Sequence, residues 1–380
     1  MRIKGVEKRG KWSNVLIMKY SLVILAAIFF QVKSFAVING TAVSVELVKV
    51  GNPNNTPNLT NGYGSVSYEY FISKYEVTIG EWCAFLNSVA KTSSAPFYSE
   101  LYNTNMSSDY NSAGILRIGE SGQFQYAVIG SPRRPITYVT WISAAMFCNW
   151  LQNGQGTNSY LYGSYDLRNG TSGNSIIKNQ NANFRLPNKN EWFKAAYFNP
   201  NTQSYTEYAT RSDSAPLNEN YHGTNQANVL LNGKYFLTQN NLKLSNQNYL
   251  TEVGSFVNSS SYYGTFDQNG NVTEWLEDSP NEYLPDSRLF WGGRWDGENT
   301  SRTGSSLYLK DSDGQPHNGY GIYGASSKLG FRIVASQESG NQVMSLIIES
   351  SNDLKTWNEK QLIPVIITNG AEFFRLKIKE

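Results

Sequence analysis

Gly270-Asn-Val-Thr-Glu-Trp275 is the stretch on which the fold turns, because it belongs to an ordered series. Gly292-Gly-Arg-Trp295 follows it, joined by Gly330-Phe-Arg332. Upstream stand Ile72-Ser-Lys-Tyr-Glu-Val-Thr78, then Pro135-Ile-Thr-Tyr-Val-Thr-Trp141 running into Asn149-Trp-Leu151, then Phe184-Arg-Leu-Pro187 with Glu191-Trp192. Each segment alone is weak; five in order over residues 68 to 336 make a pattern. Between them, apolar residues at three- and four-residue spacing predict helices over 80–90 and 143–152, the second capped by Thr140 or Ser143. A third helix is predicted over 188–196, opened by Asn188 with Glu191 three residues on and stopped by Asn199-Pro200. Alternation over 42–50 and the run 68–77 read as β structure. Residues 201–263 are rich in Asn, Ser, Thr and Tyr, so they are expected as loop and short strand needing internal staples, of which a bound cation is one kind.

Composition narrows the function classes. With 40% hydrophobic residues the chain can bury a core, and 32 Lys+Arg against 30 Asp+Glu leave no basic field for a nucleic-acid backbone. At the N-terminus, basic residues through Lys19 precede an apolar run from Ser21 to Phe30 and then Ser34-Phe-Ala36, which reads as a signal peptide (1–36) cleaved after Ala36. That run is about ten residues, against the roughly 20 a spanning helix needs, so no membrane span is expected after cleavage. Met18 is an alternative start to Met1. The expected location is secreted or cell envelope. A β segment over 37–67 leads into the main domain at 68–336, and a composition shift then marks a small β unit over 337–380, with strands at 343–350, 363–368 and 373–378. That unit resembles short C-terminal β units on some secreted bacterial proteins. Cys83 and Cys148 sit in helical apolar patterns and read as buried thiols, although export leaves a disulfide open.

The five segments resemble the sulfatase-modifying-factor family, whose best-known enzyme generates formylglycine. The resemblance implies a loop-rich α+β domain related to the C-type lectin fold. It also implies structural calcium: one site on Asp267, the Gly270 and Val272 carbonyls and Glu274, and a second on Asn228, the Val229 carbonyl, Asn246 and the Asn248 carbonyl. The first set is the oxygen-only donor type a hard cation takes, whereas the second offers Asn where the family has a carboxylate. In the formylglycine generators a cysteine pair after the Gly-Gly motif binds copper(I); here those positions are Gly297 and Arg302, so no copper is expected. His222 and His317 lie far apart in sequence and read as surface residues, which leaves an oxidoreductase using another metal as the alternative. The expected ligand face is Trp291, Arg294, Trp295, Asp296, Glu298 and Arg302, aromatic and charged groups suited to a glycan or peptide. Arg185, Glu191 and Trp192 are expected to tie loops to the core, and Glu76 to orient loops or pair with Arg332.

Overall fold

The computed structural model describes residues 43–157, 160–168, 176–280, 286–297, 309–310, 316–317, 320–336, 342–350 and 358–367. All three expected helices form, each beginning beside a side chain able to cap it. Helix α1 (Ile79–Val89) is opened by Thr78, whose hydroxyl accepts from Glu81 N while Glu81 Oε2 accepts from Thr78 N at 2.7 Å. Helix α2 (Trp141–Gln152) starts two residues earlier than its apolar spacing suggested, because Thr140 is the cap and Ser143 reaches back to it from the first turn. Helix α3 (Lys189–Tyr197) is opened by Asn188 and Glu191 in the same reciprocal way. These boxes satisfy backbone donors that a helix start leaves unpaired.

Helix α2 is buried along almost its whole length and forms the centre of the largest apolar cluster. Trp82 of α1 stacks on Phe147 of α2 at 5.7 Å and meets Phe331 edge-on at 5.8 Å, so the Gly330-Phe-Arg332 segment closes over the helix pair. Beside this core lies an antiparallel sheet of strands β1 (Leu47–Val50), β2 (Tyr70–Ser73), β3 (Phe184–Arg185) and β7 (Val334–Ser336), in the order β1-β2-β7-β3. A second sheet joins β4 (Thr273–Trp275), antiparallel to β5 (Phe290–Trp291) and parallel to β6 (Leu329–Gly330). Its register sets Glu274 opposite both Trp291 and Gly330, which brings the last motifs of the series together.

Two single-turn helices at Tyr98–Leu101 and Asn105–Ser108, and a hairpin pairing Ile115–Ile118 with Gln125–Val128, lay outside the sequence expectation. The loops of 201–263 carry only two-residue strands, Ser204–Tyr205 and a Leu230–Leu231 with Lys234–Tyr235 pair. Side-chain amides staple them. Asn218 Nδ2 donates to the Val229 carbonyl at 3.0 Å and the Lys234 carbonyl at 2.8 Å, and Gln226 Oε1 accepts from Glu219 N at 2.9 Å. Near the C-terminus, Gln342–Ser350 pairs antiparallel with Asn358–Ile367. The expected strand at 373–378 and the signal segment at 1–36 lie outside the described residues. No described helix is long and apolar enough to cross a membrane. Cys83 and Cys148 are both buried and unbonded.

Candidate functional site

A buried ionic cluster fixes the frame of the site. Arg332 is fully buried, and its Nε and Nη2 donate to the two oxygens of Glu274 at 2.5 and 2.7 Å. Trp192 Nε1 donates to the same carboxylate at 2.7 Å, and the remaining Arg332 donors reach the Ser73 and Phe266 carbonyls at 2.9 and 2.8 Å. Of the two roles open to Glu76, the structure shows loop orientation: its oxygens accept from Asn271 Nδ2 at 3.1 Å and Val272 N at 3.2 Å, while Arg332 pairs with Glu274. Arg185 ties its loop to α3 through Glu191, with bonds of 2.7 and 2.5 Å.

The first expected calcium set lies on the turn entering β4. Asp267 Oδ2 accepts from Gly254 N at 2.7 Å, and the Asp267 carbonyl accepts from Gly270 N at 2.9 Å. Gly270 is required there, since a Cβ would stand 2.7 Å from the Asn228 carbonyl oxygen. Burial, then the charges of Asp267 and Glu274, push Glu76 well above the usual carboxylate range, and burial raises Asp267 to about 6. Glu76, Asp267 and Glu274 act on one another beside a single guanidinium, and Asp267 with the turn carbonyls is of the oxygen-only donor type a hard cation takes. Glu274 is already held by Arg332, however, and among the described residues no three His, Cys, Asp or Glu side chains converge as a metal-holding group. In the second set the two carbonyls already accept bonds from side-chain amides. Asn228 Nδ2 donates to the Tyr249 carbonyl at 2.9 Å, the Val229 carbonyl accepts from Asn218, the Asn248 carbonyl accepts from Gln247 Nε2 at 2.6 Å, and Asn246 is exposed.

The expected ligand face splits. Trp291 and Trp295 are 1% and 0% exposed, so neither ring is a platform for a ligand, contrary to the expectation from sequence. Trp291 is drawn inward because β5 pairs with β4, and its ring packs against Trp192 and Phe193. Trp295 stacks on Tyr249 at 5.0 Å with an interplanar angle of 8°, and its Nε1 donates to the Ser327 carbonyl at 3.2 Å. What reaches solvent is the charged remainder. Asp296 lies between Arg294, whose Nε is 3.0 Å from Oδ1, and Lys328, whose Nζ contacts Oδ2. Lys243 sits 5.1 Å above the Trp295 ring. Glu298 and Arg302 lie outside the described residues. Gly293 lets this loop cross the Asp267 turn, since a Cβ on it would come within 2.2 Å of the Asn269 carbonyl oxygen.

Sequence reasoning missed three neighbours on this face. Tyr138 N donates to the Ser326 carbonyl at 3.0 Å, and its hydroxyl donates to Asp109 Oδ2. Its backbone stands at φ 59°, a conformation that costs an aromatic residue of order 1–3 kcal/mol. Burial and then Asp109 raise its phenol, while Ser327 and Ser112 pull the other way. Only the Tyr-for-glycine φ could have flagged this wall, and φ is not visible in sequence.

Residues 48–337 match the family model described as the Sulfatase-modifying factor enzyme 1-like domain. Among solved structures, the chain is similar to CarF at 20% identity and a TM-score of 0.44, covering 77% of this chain and 98% of that one. It is similar to variable protein 1 of Treponema denticola at 18% identity and a TM-score of 0.43, covering 81% and 100%. A third similar structure is PvdO from Pseudomonas aeruginosa, at 14% identity and a TM-score of 0.40, covering 81% and 100%. No curated protein sequence matches.

Proposed function

The chain belongs to the sulfatase-modifying-factor family, with its loop-rich α+β, C-type-lectin-like fold, and from that premise we propose that it is an exported binding member, taking a glycan or peptide ligand on the face around Arg294, Asp296 and Lys328. The single observation that carries this reading is Gly297 and Arg302 standing where the family's copper-binding cysteines fall. Copper(I) takes two close thiolates, and the chain's own two thiols are built into α1 and α2 as buried packing residues. Burial raises both, against the thiolate form that metal binding and nucleophilic attack require.

Calcium belongs to the same reading. Asp267 with the Gly270 and Val272 carbonyls would hold it, and the ion would supply the positive charge that Glu76 and Asp267 lack, fixing the turn that Gly293 and the ligand loop cross. The N-terminal basic-then-apolar pattern supports export. Metal analysis of the purified mature chain, run beside oxygen uptake with cysteine-containing peptides, tests the reading. Calcium without copper or iron, and no cysteine-dependent uptake, is expected. Stoichiometric copper or iron lost together with uptake would establish the oxidoreductase instead.

A further inference from the structure

Five separate segments meet at the ligand face, and their contacts close a ring. Tyr138 is tied to Ser326, Trp295 to Ser327, and Lys328 to Asp296. Tyr249, stacked on Trp295, donates its N–H to the Asn111 carbonyl at 2.9 Å, which returns the chain to Asp109 and Ser112. The segment Ser326–Lys328 is therefore a floor with two chemically different walls.

One wall is cationic. Arg294 Nε stands 3.0 Å from Asp296 Oδ1, yet among the described residues neither atom makes a hydrogen bond, so the contact is ionic. A guanidinium carries five donors and an ammonium three, and Asp296 is the one carboxylate the described residues set between Arg294 and Lys328. Lys243 adds a third cation above Trp295. The other wall is a hydroxyl-binding pair: the half-buried Asp109 carboxylate and the Tyr138 phenol that donates to it. Next to Asp109, Tyr110 is 67% exposed and presents an aromatic surface to solvent. The left-handed Tyr138 backbone holds the phenol at this junction despite its strain, and such outliers persist where the surroundings over-determine them, often at ligand sites.

We infer that this face takes an acidic oligosaccharide, its carboxylate on Arg294 and Lys328 and its ring hydroxyls on Asp109 and Tyr138. The inference rests on the reading of this face as a ligand site and adds the class of ligand. A carboxylate and hydroxyls on one molecule offer a partner to each wall, whereas a neutral sugar has none for the cations and an acidic side chain few hydroxyls for Asp109.

The experiment compares a galacturonate trimer with its methyl ester, which keeps every hydroxyl and removes the charge, by titration calorimetry on the mature chain. The acid is expected to bind about tenfold or more tightly than the ester, the scale of one charge-assisted bond. Lys328→Met is expected to erase that difference, whereas Tyr138→Phe weakens acid and ester by the same factor, with melting curves checking that both variants fold. Equal affinity for acid and ester, or discrimination surviving in Lys328→Met, overturns the assignment of an acidic ligand. Binding of a peptide but of neither sugar, sensitive to Lys328→Met, overturns the sugar class while the ligand face stands. Binding of nothing from a peptide library, the acid or the ester overturns the class and the face together.

Discussion

At the scale of single residues, the molecule depends on a few buried polar groups that cannot be replaced one at a time. Arg332 and Glu274 are both 0% exposed and bond each other twice, so removing one partner leaves the other's charge stranded. Arg332→Met is expected to destabilise the fold by about 3–5 kcal/mol in urea unfolding, and a loss under 1 kcal/mol would mean that the pair is not the anchor described. Gly293→Ala drives a Cβ to 2.2 Å from the Asn269 carbonyl oxygen, which no side-chain rotation relieves. A loss of about 3 kcal/mol is expected from the displaced backbone, measured the same way. Arg332, Glu274 and Gly293 all stood in motifs quoted from the sequence, but the pairing between Glu274 and Arg332 spans 58 residues and no local pattern encodes it.

At the scale of elements, the helices were legible because their start signals are local. Thr78 with Glu81, Thr140 with Ser143 and Asn188 with Glu191 each sit three residues apart and close a capping box. Replacing Asn188 by Ala is expected to cost about 1 kcal/mol, read from the midpoint of denaturant unfolding. Glu81 adds a pH signature, since burial raises it to about 7 despite its bonds to Thr78. Its folded value lies above the ordinary 4.5, so the folded state binds more protons, and its contribution to stability declines as pH rises from about 4.5 through 7. Glu81→Gln keeps a capping acceptor and is expected to flatten the stability profile between pH 5 and 8 by an amount on the order of 1–3 kcal/mol. An unchanged slope would place the titration elsewhere. What the sequence concealed was the inside or outside of the aromatic loops. Trp291 and Trp295 lie in a glycine-rich stretch that reads as exposed, and only the pairing of β4 with β5 and the stack on Tyr249 turn them inward. Tyr138 was hidden for a related reason: its role follows from a left-handed backbone and from contacts to residues 109 and 326.

At the scale of the whole molecule, ordering so much irregular chain is the central physical problem. Amide side chains such as Asn218 and Gln226 staple the loops of 201–263, and calcium on the Asp267 turn would add to them. Chelation by EGTA is expected to lower the melting temperature, with recovery on adding calcium but not magnesium, because a ligand bound only to the native state stabilises it by mass action. An identical melting curve with and without chelator would remove calcium from the account. On the proposed reading, the face around Asp296 is the recognition surface that this scaffold carries. The most direct test is binding of the mature chain, with calcium present, to an array of glycans and peptides, alongside its Lys328→Met variant. The expected result is a restricted set of ligands whose retention falls about tenfold or more in the variant; no retention of any ligand, or retention indifferent to Lys328, would contradict it.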